Sequence, residues 1–140
     1  MKSLALHTDK YQLNMMYAYW KNGKHHSRCV FDLYFRELPF ANGFAVAAGL
    51  EQVIRYLTNL RFTEEDIQFL KNEEEHYDEG FLQALRDWRF TGDVYAMPEG
   101  TLVFPNEPIM RVEGPVFEVQ LIETALLNMV NYQTLIATKA

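Results

Sequence analysis

Cysteine is almost missing from these 140 residues: Cys29 stands alone. A single thiol excludes an internal disulfide and a cysteine-based zinc site, and it suits a reducing cytosol. Basic residues are also in the minority, 13 Lys and Arg against 19 Asp and Glu, for a formal net charge of −6. No face carries a run of Lys and Arg, which argues against nucleic acid or an anionic membrane as the partner. Long apolar runs are missing too. The stretch from Val116 to Ala137 is broken by Glu118, Gln120, Glu123, Asn128, Asn131 and Gln133, whereas a membrane span needs about 20 mostly apolar residues. The opening MKSLALHTDKYQ has no apolar core of the kind a signal peptide requires.

What is present is core material. The hydrophobic share is 49%, with ten Phe, eight Tyr and two Trp, far from a disordered composition. Thr8 and Asp9 are suited to cap a helix that runs to about Asn22, with Gly23 as its stop. Tyr11, Met15 and Tyr19 share one face of it, and Met16 and Trp20 widen the stripe. Arg28 to Arg36 alternates, with Cys29, Phe31, Leu33 and Phe35 on one side, and predicts a strand. Turn chemistry follows at Pro39 to Gly43, with an Asn-Gly pair. Leu50, Val53, Ile54 and Leu57 mark an amphipathic helix. Thr63 and Asp66 have capping-box spacing ahead of a helix bearing Ile67 and Leu70. Phe81, Leu82, Leu85 and Trp88 predict another helix, and Glu73-Glu74-Glu75 between the two reads as solvated surface.

From Asp93 the pattern changes to short extended pieces punctuated by Gly100, Gly114 and four prolines, which predicts a small, curved β module. After Pro115 the chain turns helical and stays apolar on most faces, as a helix buried in something large would. Thr124, Asn128, Asn131 and Thr138 form one polar stripe along it. The stripe has two readings, hydrogen bonding between helices or a wall of a ligand cavity, with spacing alone favouring the first. The expected class is α+β: residues 1–115 as a domain of helices plus a small β-sandwich-like module, and residues 116–140 as the first helix leading into an irregular α/β barrel that is mostly absent. The missing stop after that helix is expected of the front part of a larger soluble enzyme.

Four segments in order resemble the nicotinate phosphoribosyltransferase family: T-D-K-Y-Q (8–12), F-R-E-L-P-F-A-N-G-F-A-V-A-A-G-L (35–50), M-P-E-G-T-L-V-F-P-N-E-P-I-M-R-V-E-G-P (97–115) and Q-L-I-E-T-A-L-L-N-M-V-N-Y-Q-T-L-I-A-T-K-A (120–140). The resemblance implies an enzyme of NAD salvage that joins nicotinate to 5-phosphoribosyl 1-diphosphate. The products would be nicotinate mononucleotide and pyrophosphate, with ATP as co-substrate and Mg2+ on the phosphates. It further implies a cytoplasmic homodimer whose sites are shared between subunits. In the family the aromatic residue of T-D-x-Y stacks on the pyridine ring of the neighbouring subunit's site, which here is Tyr11. Without the family, Tyr11 reads as the first core contact of its helix. Asp9 reads first as a helix cap and second as an orienter near the substrate, and Thr138 joins them as a substrate-side candidate. No catalytic residue and no metal ligand is expected in this chain. His7, His25, His26 and His76 do not match the family's phosphorylated histidine, and His25-His26 reads as an exposed, inert pair in a turn.

The run Glu123 to Asn128 with Leu135 to Thr138 also resembles quinolinate phosphoribosyltransferases, in which an arginine stands at the place of Thr124. Threonine there favours a monocarboxylate pyridine, while nicotinamide and quinolinate remain alternative substrates. A lipoyl-like carrier reading is weak, since the turn Phe104 to Glu107 holds no lysine. A dimerisation module without catalysis of its own is the remaining alternative.

Overall fold

The computed structural model describes residues 4–140. In chain order it contains α1 (Lys10–Lys21), β1 (Arg28–Leu33), β2 (Ala45–Val46), α2 (Leu50–Asn59), α3 (Glu64–Lys71) and α4 (Glu79–Asp87). These are followed by β3 (Asp93–Ala96), β4 (Leu102–Val103), β5 (Met110–Pro115) and α5 (Val116–Lys139). Helices and two small antiparallel sheets make it an α+β fold, and no α/β barrel is present among the described residues.

The β module is not confined to the segment after Asp93. β5 is the centre of a sheet ordered β1-β5-β3, with Phe31 opposite Val112 and Val94 opposite the same residue from the other side. β2 pairs with β4, Ala45 opposite Val103. Each sheet therefore combines a strand from before the helical segment with strands from after it, and the Asn42-Gly43 pair closes no hairpin. β1 also stops at Leu33, short of the expected Arg36. Its partner runs out there, because Pro108 has no N–H to donate. The chain beyond is held by Ile109 N–H to Leu33 O at 2.9 Å and Asn106 N–H to Phe35 O at 2.8 Å.

α2, α3 and α4 pack apolar faces into one core with α1 and α5, although Ile54 of the expected α2 stripe is 51% exposed and Tyr56 is buried in its stead. The capping box is formed as its spacing required: Asp66 N–H donates to Thr63 Oγ1 at 3.2 Å, and Thr63 N–H to Asp66 Oδ2 at 2.8 Å. Trp88 lies just past α4 instead of within it, buried against Phe62. Phe81, Leu82, Leu85, Ile67 and Val53 are completely buried.

α5 runs through the middle, touching α1, α2, β1, β2 and β5. Most faces of its first turns are covered: Phe117, Val119, Leu121, Ile122, Ala125 and Leu126 are all buried. Gly49, just ahead of α2, lies directly against the α5 backbone. Its φ is +107°, and a Cβ there would sit 3.1 Å from Met129 O and from Val130 Cα. Only glycine meets both demands.

Candidate functional site

The first turn of α1 is laid against the second turn of α5 by side chains more than a hundred residues apart. Asp9 occupies the helix N-cap position, but its carboxylate makes no capping bond. It accepts instead from Thr124 Oγ1 at 2.9 Å, so the expected cap role is corrected: a tertiary hydroxyl outcompetes the local N–H groups. Thr8 Oγ1 donates to Leu121 O at 3.2 Å. Lys10 turns outward between Glu75 (2.7 Å) and Glu73 (3.0 Å). Those two carboxylates hold its ammonium charged above the ordinary lysine range. Two members of the acidic run are thus tied to α1 instead of being simply solvated.

The next two residues face opposite environments. Tyr11 is 52% exposed, so it is not the core contact that helical periodicity suggested. The buried face of α1 is Gln12, Leu13 and Met16, one residue round from the expected stripe. Gln12 is completely buried. Its Nε2 donates to Tyr11 Oη at 2.9 Å and to Glu123 Oε2 at 2.9 Å, while its Oε1 accepts from Gln120 Nε2. Partial desolvation, followed by the Glu123 and Asp9 charges, pushes the Tyr11 phenol above its ordinary pKa, so the ring stays protonated and neutral.

Tyr11, Met15 and Tyr19 form one rim of an open groove of about 650 Å³, whose other walls are β1 from Val30 to Leu33 and α5 from Val119 to Leu127. The wall is mostly apolar, with Asp32, Gln120 and Glu123 as its polar points.

Thr138 lies elsewhere. It is 14 residues beyond Thr124, roughly 21 Å along the helix. Its hydroxyl is engaged, accepting from Val46 N–H at 2.9 Å and donating to Thr134 O at 2.6 Å. The polar stripe therefore divides. Thr124 and Thr138 hold neighbouring elements, whereas Asn128 and Asn131 face outward, exposed. Buried Thr134, which the stripe did not include, bonds both the N–H and the carbonyl of Ala48 at 3.2 Å.

His25 departs from the inert surface pair expected of it. It is half-buried, 5.9 Å from the Phe117 ring and 4.1 Å from His26, and its Nδ1 is buried without a hydrogen-bond partner. Burial, helped by His26, holds its pKa below the ordinary value. Among the described residues no group of three His, Cys, Asp or Glu side chains is placed to hold a metal ion, and no helix is long and apolar enough to cross a membrane.

Gln12, Gln120 and Glu123 were not anticipated. The available signal was a glutamine four residues before Met16, on the same helical face as a core methionine.

Residues 6–131 match the model of the nicotinate phosphoribosyltransferase N-terminal domain. The chain is 60% identical to the nicotinate phosphoribosyltransferase of Bacillus subtilis over 138 residues, covering 99% of this chain and 28% of the relative. It is 50% identical to nicotinate phosphoribosyltransferase 2 of Arabidopsis thaliana, covering 94% of this chain and 24% of that protein. The crystal structure of human nicotinic acid phosphoribosyltransferase superposes with a TM-score of 0.87 at 41% identity, over 94% of this chain and 27% of that one. The chain thus spans about a quarter of the length of each of these relatives. By sequence over nearly its whole length and by fold, the chain belongs to the nicotinate phosphoribosyltransferase N-terminal domain family.

Proposed function

We propose that this chain serves as the N-terminal part of an enzyme that joins nicotinate to 5-phosphoribosyl 1-diphosphate, with Tyr11 as the chain's own contribution to the pyridine site. The family match supports the reaction. The observation that carries the assignment of Tyr11 is its placement: an aromatic ring half out in solvent, on a turn clamped to the core at Thr8, Asp9 and Gln12.

In the transfer, the pyridine nitrogen bonds to the anomeric carbon as the bond from that carbon to the diphosphate oxygen breaks, and pyrophosphate leaves with the electron pair. The ring nitrogen thereby becomes cationic. An electron-rich phenol face gains attraction for the ring as that charge develops, about 1 kcal/mol in a partly exposed setting. Glu123 and Asp9, flanking the Tyr11 hydroxyl end, add a negative field of the same sense. The contact is therefore stronger in the transition state than in the ground state.

Asp9 acts in this reading through Thr124, holding the Tyr11 turn in place. Thr138 supports the β2 side of the domain. In this reading ATP is a co-substrate of the whole enzyme and Mg2+ the metal that shields the phosphates. That metal, on the same reading, is held with the donor's diphosphate by the remainder of the protein. The enzyme is a cytoplasmic homodimer in this reading, and the exposed Tyr11 serves the partner subunit's site. With Thr124 committed to Asp9, no cation stands at that position to receive a second carboxylate, which favours nicotinate over quinolinate.

The test is turnover by the full-length enzyme on nicotinate, nicotinamide and quinolinate, with the 140-residue chain assayed alongside. Nicotinate mononucleotide formation by the full-length enzyme only, fastest with nicotinate, is the expected result. Faster turnover of quinolinate, or product from the isolated chain, would contradict the reading.

A further inference from the structure

The side chain that decides where the Tyr11 ring points is the neighbouring one in sequence, and it lies in the core. On a helix, residues i and i+1 do not face each other. For Gln12 Nε2, which is completely buried, to meet Tyr11 Oη at 2.9 Å, the Tyr11 hydroxyl end must turn in toward the α1–α5 seam while half of the residue stays exposed. The bond is therefore not a by-product of helical spacing.

The amide has no freedom to do otherwise. Its two N–H groups are both used, one on Tyr11 Oη and one on Glu123 Oε2, and its carbonyl accepts from Gln120 Nε2. Turning the amide over would set its NH2 against the Gln120 NH2, and its carbonyl against a carboxylate. Every polar atom of Gln12 is thus satisfied in one orientation only, inside a site with no accessible surface. Buried amides persist on that condition.

We infer that Gln12 is a positioning residue: its buried amide holds the Tyr11 hydroxyl so that the ring is presented to the pyridine in one orientation. This rests on the assignment of Tyr11 as the pyridine-facing ring. A ring with half its surface in solvent and no tether would distribute over its rotamers, and only part of that population would match a planar ligand. Tethering raises the competent fraction, which appears as a lower apparent dissociation constant for the pyridine alone. The donor substrate, which does not contact this ring, is unaffected.

The experiment uses the full-length enzyme and four variants: Tyr11→Ala, Tyr11→Phe, Gln12→Leu and the Tyr11→Phe, Gln12→Leu double variant. Tyr11→Phe keeps the ring and deletes only the tether's acceptor, on an exposed side chain that does not threaten folding. Each of Tyr11→Phe and Gln12→Leu should raise the nicotinate KM about threefold to tenfold, leaving the KM of the phosphoribosyl donor within about twofold. The double variant should be no worse than the worse single one, since both remove one bond. A purely structural Gln12 would lower kcat or stability with no split between the two KM values, and that outcome overturns the inference. So does an unchanged nicotinate KM in Tyr11→Phe, which decides the matter even where Gln12→Leu fails to fold. The two readings separate through Tyr11→Ala. If it raises the nicotinate KM while Tyr11→Phe and Gln12→Leu do not, only the tether is wrong. If Tyr11→Ala has no effect, the assignment of Tyr11 falls, and the positioning role with it.

Discussion

The two halves of α5 are fastened to the rest of the chain in different ways. In the first half three bonds join side chain to side chain, Gln120 to Gln12, Gln12 to Glu123 and Thr124 to Asp9, beside the bonds of Thr8 to the Leu121 carbonyl and of the Thr91 N–H to Glu118. In the second half the less exposed bonds run from side chain to backbone, Thr134 to Ala48 and Thr138 to Val46, and a side-chain pair, Gln133 with Gln52, lies on the exposed surface. A bond to backbone depends on where the chain goes, not on which residue is there. A bond between two side chains depends on both identities, and it fixes the direction of the groups that share it. The first half is where the Tyr11 turn is held, so the half with exacting chemistry is also the half beside the candidate site. Burial differs in the same sense. Leu121 and Ile122 are inaccessible, while Tyr132, Leu135 and Ile136 are 67%, 39% and 50% exposed.

The contrast can be broken hardest in the core. Leu121→Ala should cost about 3 kcal/mol, because it deletes a fully buried side chain and leaves a cavity. Ile136→Ala, on the exposed face of the same helix, should cost under about 1 kcal/mol. Urea midpoints of the two variants measure the difference, and equal losses would mean that the second half is as tightly packed as the first.

A smaller effect sharpens the difference in bonding. Thr134→Val keeps the shape and leaves the Ala48 N–H and carbonyl without their partner, for a loss of about 1 to 2 kcal/mol. Thr124→Val deletes a single bond to the exposed carboxylate of Asp9, which water can replace, and should cost about 0.5 kcal/mol. Its effect should appear in the nicotinate KM instead, since it loosens the turn that carries Tyr11.

The smallest effect is a pH dependence at the start of α5. His25, against Phe117, has its pKa lowered by burial first and by His26 second. A folded-state value below the unfolded one, near 6.5, means that the folded state binds the proton less well. Its contribution to stability is complete above the unfolded value and is lost as pH falls from there through the folded value. The melting temperature should drop between about pH 7 and pH 5, and His25→Gln should flatten that drop. An unaltered slope in the variant would place the titrating group elsewhere.

Much of the fold was legible wherever the signal was local. The i, i+3, i+4, i+7 pattern of Leu50, Val53, Ile54 and Leu57 became α2, and the Thr63–Asp66 spacing became a formed capping box. What failed was non-local. The partners of β1 and β2 lie beyond the helical segment, and no turn chemistry near Asn42 could reveal that. Asp9 had every local reason to cap α1 but bonds a hydroxyl 115 residues away. T-D-K-Y-Q singled out Tyr11 and Asp9, and the fold leaves Tyr11 half exposed and bonds Asp9 to Thr124. The face of α1 was misplaced by one residue because three large aromatic or sulfur side chains outweighed one glutamine. Gln12 is polar, and the pattern of apolar periodicity has no way to count a buried amide as core.

The central claim is that the clamped α1–α5 seam presents Tyr11 to the pyridine. It is tested most directly by the ratio of the nicotinate KM to the donor KM in Tyr11→Ala full-length enzyme. The account predicts that this ratio rises about tenfold or more, because the lost stacking face serves one substrate only. A ratio equal to that of the parent enzyme, with both KM values moved together or neither moved, would contradict it.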